Sequence, residues 1–243
     1  MRVSVRIAKF FMKFYPPKIA DDDFFRSYES ASDAEKKEMR LQSARYRYEY
    51  EKKEINYFKK YFPEFNADKL AGKSVLDLGC FTGGQLVYWS EQYHLNPVGI
   101  DVHELMILGG KEFSEERNVS VRFDVGFGEN LPYPSSSFDL ITTYDVLEHV
   151  QDVSKVIEEC HRVLKPGGLM MAVFPPYFQP LEHHLTLVTR MPALQWFFSG
   201  DVLNEASHLL GLELGCPYKL NPELEEWERL RSLNGITIKK FKK

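Results

Sequence analysis

The chain has 243 residues, of which 44% are hydrophobic, 27% charged and 14% aromatic, a globular composition that excludes a collagenous, low-complexity or disordered polymer. Its formal net charge is −4, but nine basic residues crowd the first eighteen and last five positions, so the body between them is more acidic still. Such a body is a poor match for a phosphate backbone, and no nucleic-acid partner is expected. Cys80, Cys160 and Cys216 are widely spaced and form no C-x-x-C pair, which argues against a disulfide framework and a zinc site. No run approaches about eighteen apolar residues and the start lacks a secretory pattern, so a soluble protein of the reducing cytoplasm is expected.

In chain order, Val3, Ile7, Phe10, Phe11 and Phe14 interleave with Arg2, Arg6, Lys9 and Lys13 as a basic amphipathic helix. Two readings stand: the helix packs on its own domain, or it makes a peripheral membrane contact. Pro16-Pro17 and Asp21 to Asp23 follow. Ser32-Asp-Ala-Glu35 is a capping-box pattern, and from there to about Phe62 neither Gly nor Pro interrupts one or two helices. The tyrosines here, Tyr46, Tyr48, Tyr50, Tyr57 and Tyr61, read as half-buried packing residues. Residues 1–66 are thus expected to form a helical segment that covers substrate or contacts a surface, and 67–243 the main domain.

From Lys73, short apolar runs alternate with helix-length segments, the texture of a parallel sheet with crossover helices. Strands are predicted at Ser74 to Leu78, Pro97 to Ile100, Val119 to Phe123, Phe138 to Thr143 and Leu169 to Val173, and helices at Gly84 to Tyr93, Glu104 to Arg117 and Asp152 to Leu164. Lys165-Pro-Gly-Gly168 reads as a helix stop and turn. The fold class expected is α/β, a doubly wound Rossmann-like sheet whose ligands sit beyond the C-terminal strand ends. A long aromatic loop, Phe174 to Gly200, is expected to lid the pocket. Helices follow at Gly200 to Leu210 and Pro222 to Leu233, then either a last helix capped by Thr237 or a strand from Ile236 to Phe241. On the helical reading, a closing strand hairpin would be missing.

The first strand runs into Val75-Leu-Asp-Leu-Gly-Cys-Phe-Thr-Gly-Gly84. Glycines serve where a ligand lies against the backbone. The dinucleotide spacing G-x-G-x-x-G is absent, and Asp77 inside the strand suits a cationic ligand better than a pyrophosphate, which disfavours a nicotinamide oxidoreductase. Asp101 closes the second strand, where a carboxylate can accept from both ribose hydroxyls.

With these residues the sequence resembles the class I S-adenosylmethionine-dependent methyltransferases, closest in style to the ubiquinone and menaquinone biosynthesis enzymes and their small-molecule relatives. Asp77-x-Gly79-x-x-x-Gly83, Val98-Gly-Ile-Asp101, Glu129-Asn-Leu-Pro132, Phe138-Asp-Leu-Ile141 with Val146-Leu-Glu-His-Val150, and Arg162-Val-Leu-Lys-Pro-Gly-Gly168 follow the family's order. The resemblance implies S-adenosylmethionine as cofactor and S-adenosylhomocysteine as product. It implies Gly79 and Gly83 around the methionine part, Asp77 near its ammonium, Asp101 on the ribose hydroxyls and Gly128 and Glu129 beside the adenine, with Cys80, Phe81, Val102, Phe127 and Tyr144 as further cofactor-binding residues. Two departures stand out: Phe81 where the family commonly has glycine, and Phe127 where it commonly has an aspartate accepting from the adenine N6. Asp124 is a substitute acceptor if the loop bends back.

For the methyl acceptor, a small hydroxylated molecule of sugar, polyketide or quinol type is expected, with a histidine base or alignment alone. The base candidates are His149, His183 and His184. Asp145, Glu148 and His149 share one face if a helical turn follows the fourth strand, a spacing that also suits a hard metal, though no metal is assigned. Phe174-Pro-Pro-Tyr177 imitates an amino-methyltransferase motif but follows the fifth strand rather than the fourth. The alternative to an enzyme is a catalytically silent methyltransferase-like binding or partner protein, motivated by Phe81 and Phe127.

Overall fold

The computed structural model describes residues 2–16, 28, 31–55, 67–180, 185, 188–214 and 234–241. His183, His184 and the helix expected over 222–233 lie outside the described residues. In chain order the elements are α1 (Val3–Met12), α2 (Asp33–Tyr50) continuing into one π-helical turn (Glu51–Ile55), α3 (Ala67–Leu70), β1 (Ser74–Leu78), α4 (Gly84–Tyr93) and β2 (Asn96–Asp101). After these come α5 (Glu104–Glu116), β3 (Arg122–Val125), β4 (Phe138–Tyr144), α6 (Val153–Val163), β5 (Leu164–Val173), α7 (Leu194–Phe197), α8 (Gly200–Glu213) and α9 (Ile238–Phe241). They fall into two compact units: a sheet unit of Phe25–Val146 and Asp152–Val173, and a terminal unit of Met1–Phe24, Leu147–Gln151 and Phe174–Lys243.

In the sheet unit five strands run parallel in the order β3-β2-β1-β4-β5. The winding reverses between β1 and β4, which places the ligand crevice beyond the C-terminal ends of these two strands, beside the end of β2. Val75, Leu76, Leu78, Ile100 and Ile141 are all buried because helices cover both faces. Burying each side chain stabilises the fold by about 1.5–3 kcal/mol. Trp89 on α4 is fully buried, and its indole N–H donates to Glu51 Oε1 at 2.8 Å.

The α2 capping box forms as its sequence requires: Glu35 N donates to Ser32 Oγ, and Ser32 N donates to Glu35 Oε2. The helix packs with Leu41, Ala44 and Tyr48 inward, and Arg40 pairs with Glu112 at 2.6 Å while donating to the Tyr28 hydroxyl. Its approach to α4 depends on Gly84, where a Cβ would fall 1.9 Å from the carbonyl oxygen of Ala44.

Two strand boundaries differ from expectation. Val119 N donates to Ser114 O, so Val119 closes α5 rather than opening a strand; β3 begins at Arg122, paired with Val98. In turn, β5 begins at Leu164, five residues early. Lys165-Pro-Gly-Gly168 is an irregularity in its pairing with β4, with Gly167 at φ +78°.

In the terminal unit, Val5, Ala8 and Met12 of α1 pack with Val202, Leu203, Ala206 and Leu210 of α8. Arg2 pairs with Glu205, and Lys9 and Lys13 with Glu213. The C-terminal segment is helical: Phe241 N donates to Thr237 O, which excludes a strand over 236–241.

Candidate functional site

The turn between β1 and α4 is held open by left-handed backbone. Gly79, Phe81 and Gly83 have φ of +74°, +54° and +58°. A Cβ at Gly79 would come within 2.2 Å of Val146, and one at Gly83 within 2.2 Å of the Phe123 ring, so only glycine fits either place. The amides of Gly79 and Cys80 both donate to Ile100 O, fastening the turn to β2. The Cys80 side chain is buried, and burial pushes its thiol pKa well up, so it is an inert packing residue.

Asp101, at the end of β2, is the hinge of this geometry. Its Oδ2 accepts from Phe81 N at 2.8 Å and its Oδ1 from His103 N at 2.9 Å. Each carboxylate oxygen keeps a second acceptor site. The carboxylate is therefore fixed at the C-terminal edge by backbone groups alone, with capacity left for two donors.

Asp77 is only 1% exposed. Thr142 Oγ1 donates to its Oδ1 at 2.6 Å and Gln85 Nε2 to its Oδ2 at 2.9 Å. Burial dominates these bonds and raises its pKa to about 6. The negative charge sits behind the turn rather than on its surface, and Gln85, which also donates to Cys80 O, links the two.

Phe81 does not turn into solvent. The Arg47 guanidinium lies over its ring, 5.2 Å from the centroid, a cation–π contact that offsets part of the cost of its left-handed backbone. Arg47 also acts electrostatically on Asp77. Sequence reading missed Arg47 and Gln85. Gln85, the second residue of α4, had a positional signal, whereas nothing local in α2 marks Arg47 as a neighbour of the turn.

Beyond β2 and β3 apolar side chains are left uncovered: Val102 is 48% exposed and Phe127 66% exposed. Gly126 N donates to Asp101 O, and Glu129 Oε1 accepts from Asp152 N. A Cβ at Gly128 would touch Leu78 and Val156 at 3.3 Å. Asp124 does not bend back: its carboxylate accepts from the Tyr133 hydroxyl at 3.0 Å and pairs with Arg122 at 2.8 Å, so it serves β3. Tyr144 is half-buried at the end of β4, its hydroxyl 3.3 Å from Met171 Sδ.

The residues after β4 do not continue as a helix. Asp145 has φ +54° and is exposed, and residues 147–149 form a turn. In the terminal unit Asn234 fastens that turn, its Nδ2 donating to Leu147 O and Val150 O and its N to Glu148 O. Glu148 is buried, and His149 Nε2 lies 3.8 Å from Glu148 Oε1 with a third of the side chain exposed. Among the described residues no three His, Cys, Asp or Glu side chains gather to hold a metal ion.

Comparison with known proteins gives a consistent result. Residues 76–172 match the family described as Methyltransferase domain. Norajmaline N-methyltransferase of Rauvolfia serpentina is 40% identical over 98 residues, which is 40% of this chain and 34% of that one. Phosphoethanolamine N-methyltransferase of Triticum aestivum is 35% identical over 104 residues, 43% of this chain and 21% of that one. The uncharacterized methyltransferase YcgJ of Bacillus subtilis is 29% identical over 179 residues, 73% of this chain and 62% of that one. The chain thus spans about a third or less of the first two relatives. No helix among the described residues is long and apolar enough to cross a membrane.

Proposed function

We propose that the protein, whose residues 76–172 match the family described as Methyltransferase domain, transfers the methyl group of S-adenosylmethionine to a small hydroxylated molecule of sugar, polyketide or quinol type. The observation that carries the cofactor half is the Asp101 carboxylate, fixed by two backbone amides with acceptor capacity left for a diol. When bound, the cofactor supplies a methyl group on a cationic sulfonium; the acceptor oxygen forms the new bond to carbon, the carbon–sulfur bond breaks, and neutral S-adenosylhomocysteine remains.

The chain's own groups suit each part of that molecule. Asp101 accepts from the ribose hydroxyls, while Val102 and Phe127 cover the adenine faces, Phe127 standing where the resemblance leads one to expect an acidic N6 acceptor. Asp77, ionised above about pH 6, makes the potential behind the turn favourable to an ammonium. Arg47 supplies the opposite charge for a carboxylate, and the start of α4 has no side-chain cap to compete for its amides. Gly79 and Gly83 keep the backbone in the shape these contacts need.

An acceptor hydroxyl loses its proton as it gains the methyl group. His149, His183 and His184 are the proposed proton acceptors, since imidazole titrates near neutral pH. N-methylation of a small amine is a second reading, favoured by the matches to the norajmaline and phosphoethanolamine enzymes. Incubating the full chain with S-adenosylmethionine and a panel of phenols, sugars and amines, with S-adenosylhomocysteine release as readout, tests both. The expected result is turnover of hydroxylated acceptors and, for at least one of the three His→Ala variants, a drop of about 100-fold or more. Turnover of amines only would replace O- by N-methylation, and tight product binding with no turnover of any acceptor would make the protein a silent binding module.

A further inference from the structure

The sequence left α1 with two readings, packing on its own domain or contacting a membrane, and the terminal unit shows that one helix has room for both. Three stripes run along it. Val5, Ala8 and Met12 form the buried stripe, against α8. Arg2, Arg6, Lys9 and Lys13 form the second, at spacings of four, three and four residues that keep them on one side of the helix. Val3, Ile7, Phe10 and Phe14 repeat at the same spacings as the third, with Phe11 beside them, and all five are exposed, Phe10 and Phe14 by 59% and 60%. An ordinary surface helix has one apolar stripe, turned to its core. This one has a second, turned to water.

The exposed stripe is not a scatter of single residues. Phe10 and Phe14 pack edge-on with centroids 5.0 Å apart, and Phe10 and Phe11 at 5.9 Å. Phe11 meets Phe198, and the adjoining α7 ends in Trp196 and Phe197, both exposed, Phe197 by 78%. Contiguous aromatic surface of this kind marks an interaction site. Its charge selects the partner. No acidic residue lies in α1. Glu205 and Glu213 of α8 balance Arg2, Lys9 and Lys13. Among the described residues Arg6 has no carboxylate partner, and neither has Arg190, whose guanidinium donates to Pro16 O four residues beyond the end of the helix.

We propose that this face docks on an anionic lipid surface, with the Val3–Ile7–Phe10–Phe14 stripe and the α7 aromatics in the interface and Arg6 and Arg190 against the headgroups. Phenylalanine and tryptophan beside arginine is the composition that partitions at a bilayer boundary, and a lipid surface needs no complementary groove in a partner. Because three of the five cations are already paired, apolar insertion supplies most of the affinity and the salt dependence is shallow. The inference does not rest on the methyl-transfer reading.

Co-sedimentation of the full chain with phosphatidylcholine vesicles, with and without phosphatidylglycerol, tests it, alongside sedimentation velocity in the absence of lipid. The wild type is expected to pellet with the mixed vesicles, Phe10→Ser with Phe14→Ser to lose binding tenfold or more, and Arg6→Glu to lose severalfold on anionic vesicles only. These exposed positions carry no buried contact of their own stripe, and circular dichroism of the double variant matching the wild type confirms that the loss is at the surface. A wild type that stays in the supernatant, or a double variant that pellets equally, overturns the proposal. So does a wild-type dimer that the double variant dissociates without any lipid binding, which would assign the stripe to a second copy of this chain.

Discussion

Beyond β1 and β2 in the sheet unit, charge is held inside and committed. Asp77 is buried on Thr142 and Gln85, Asp101 is gripped by two amides, and a nearby cation, Arg47, lies on an aromatic ring. In the terminal unit apolar groups face water, Phe10, Phe14 and Phe197 among them, while Arg2, Lys9 and Lys13 pair with α8. The difference is what separates the two proposals, because each unit presents a different kind of surface. Preorganised polar groups at strand ends recognise a small molecule atom by atom, whereas an exposed aromatic stripe recognises a phase or a broad surface.

The contrast breaks most severely where packing is tightest. Gly84→Ala places a methyl group against the Ala44 carbonyl and is expected to cost about 3 kcal/mol in urea denaturation. Should it cost nothing, α2 does not rest on the start of α4. Asp101→Ala is expected to weaken S-adenosylhomocysteine about 100-fold, near 3 kcal/mol, since two charge-assisted hydrogen bonds are lost.

The raised pKa of Asp77 gives two opposite pH dependences. A carboxyl with a folded pKa near 6 and an unfolded one near 3.8 binds more protons folded than unfolded between those values, so the ligand-free fold loses stability as pH rises through that window. Cofactor binding moves the other way, strengthening about tenfold from pH 5 to 7 as the carboxylate ionises. Calorimetry across this range checks both, and Asp77→Asn should flatten both profiles. Arg47→Ala is expected to weaken S-adenosylhomocysteine about fivefold and leave methylthioadenosine, which lacks the amino-acid end, unchanged; equal losses for both would make Arg47 a packing residue. Smallest of all, Phe10→Ser should change stability by under about 0.5 kcal/mol, because its ring already faces water.

Much of the sheet unit was legible in the sequence because local and tertiary demands agree there. The bounds of β1 follow from an apolar run stopped by Gly79, and the capping box announced α2. Where tertiary pairing decides, local reading slipped: β3 begins three residues late because Val119 finishes a helix, and β5 begins five early because strand pairing tolerates the bulge at Gly167. Of the site, Asp101 and the glycines were readable from spacing. Phe81 was readable only as a departure, since its left-handed backbone and its Arg47 cover depend on a helix some forty residues upstream. The sequence puts Asp77 near a cationic ligand, but strand alternation alone does not reveal that its carboxylate is buried on Thr142 and Gln85. The helical turn on which the shared face of Asp145, Glu148 and His149 depends does not form, and the fastening of the 147–149 turn by Asn234, some eighty residues away, has no local signal.

The central claim is that the Asp101-fixed turn recognises S-adenosylmethionine and its product. Isothermal titration of the full wild-type chain with S-adenosylhomocysteine tests it most directly: one-to-one binding in the micromolar range that Asp101→Ala weakens about 100-fold is the result expected, and no heat of binding at millimolar ligand would contradict it.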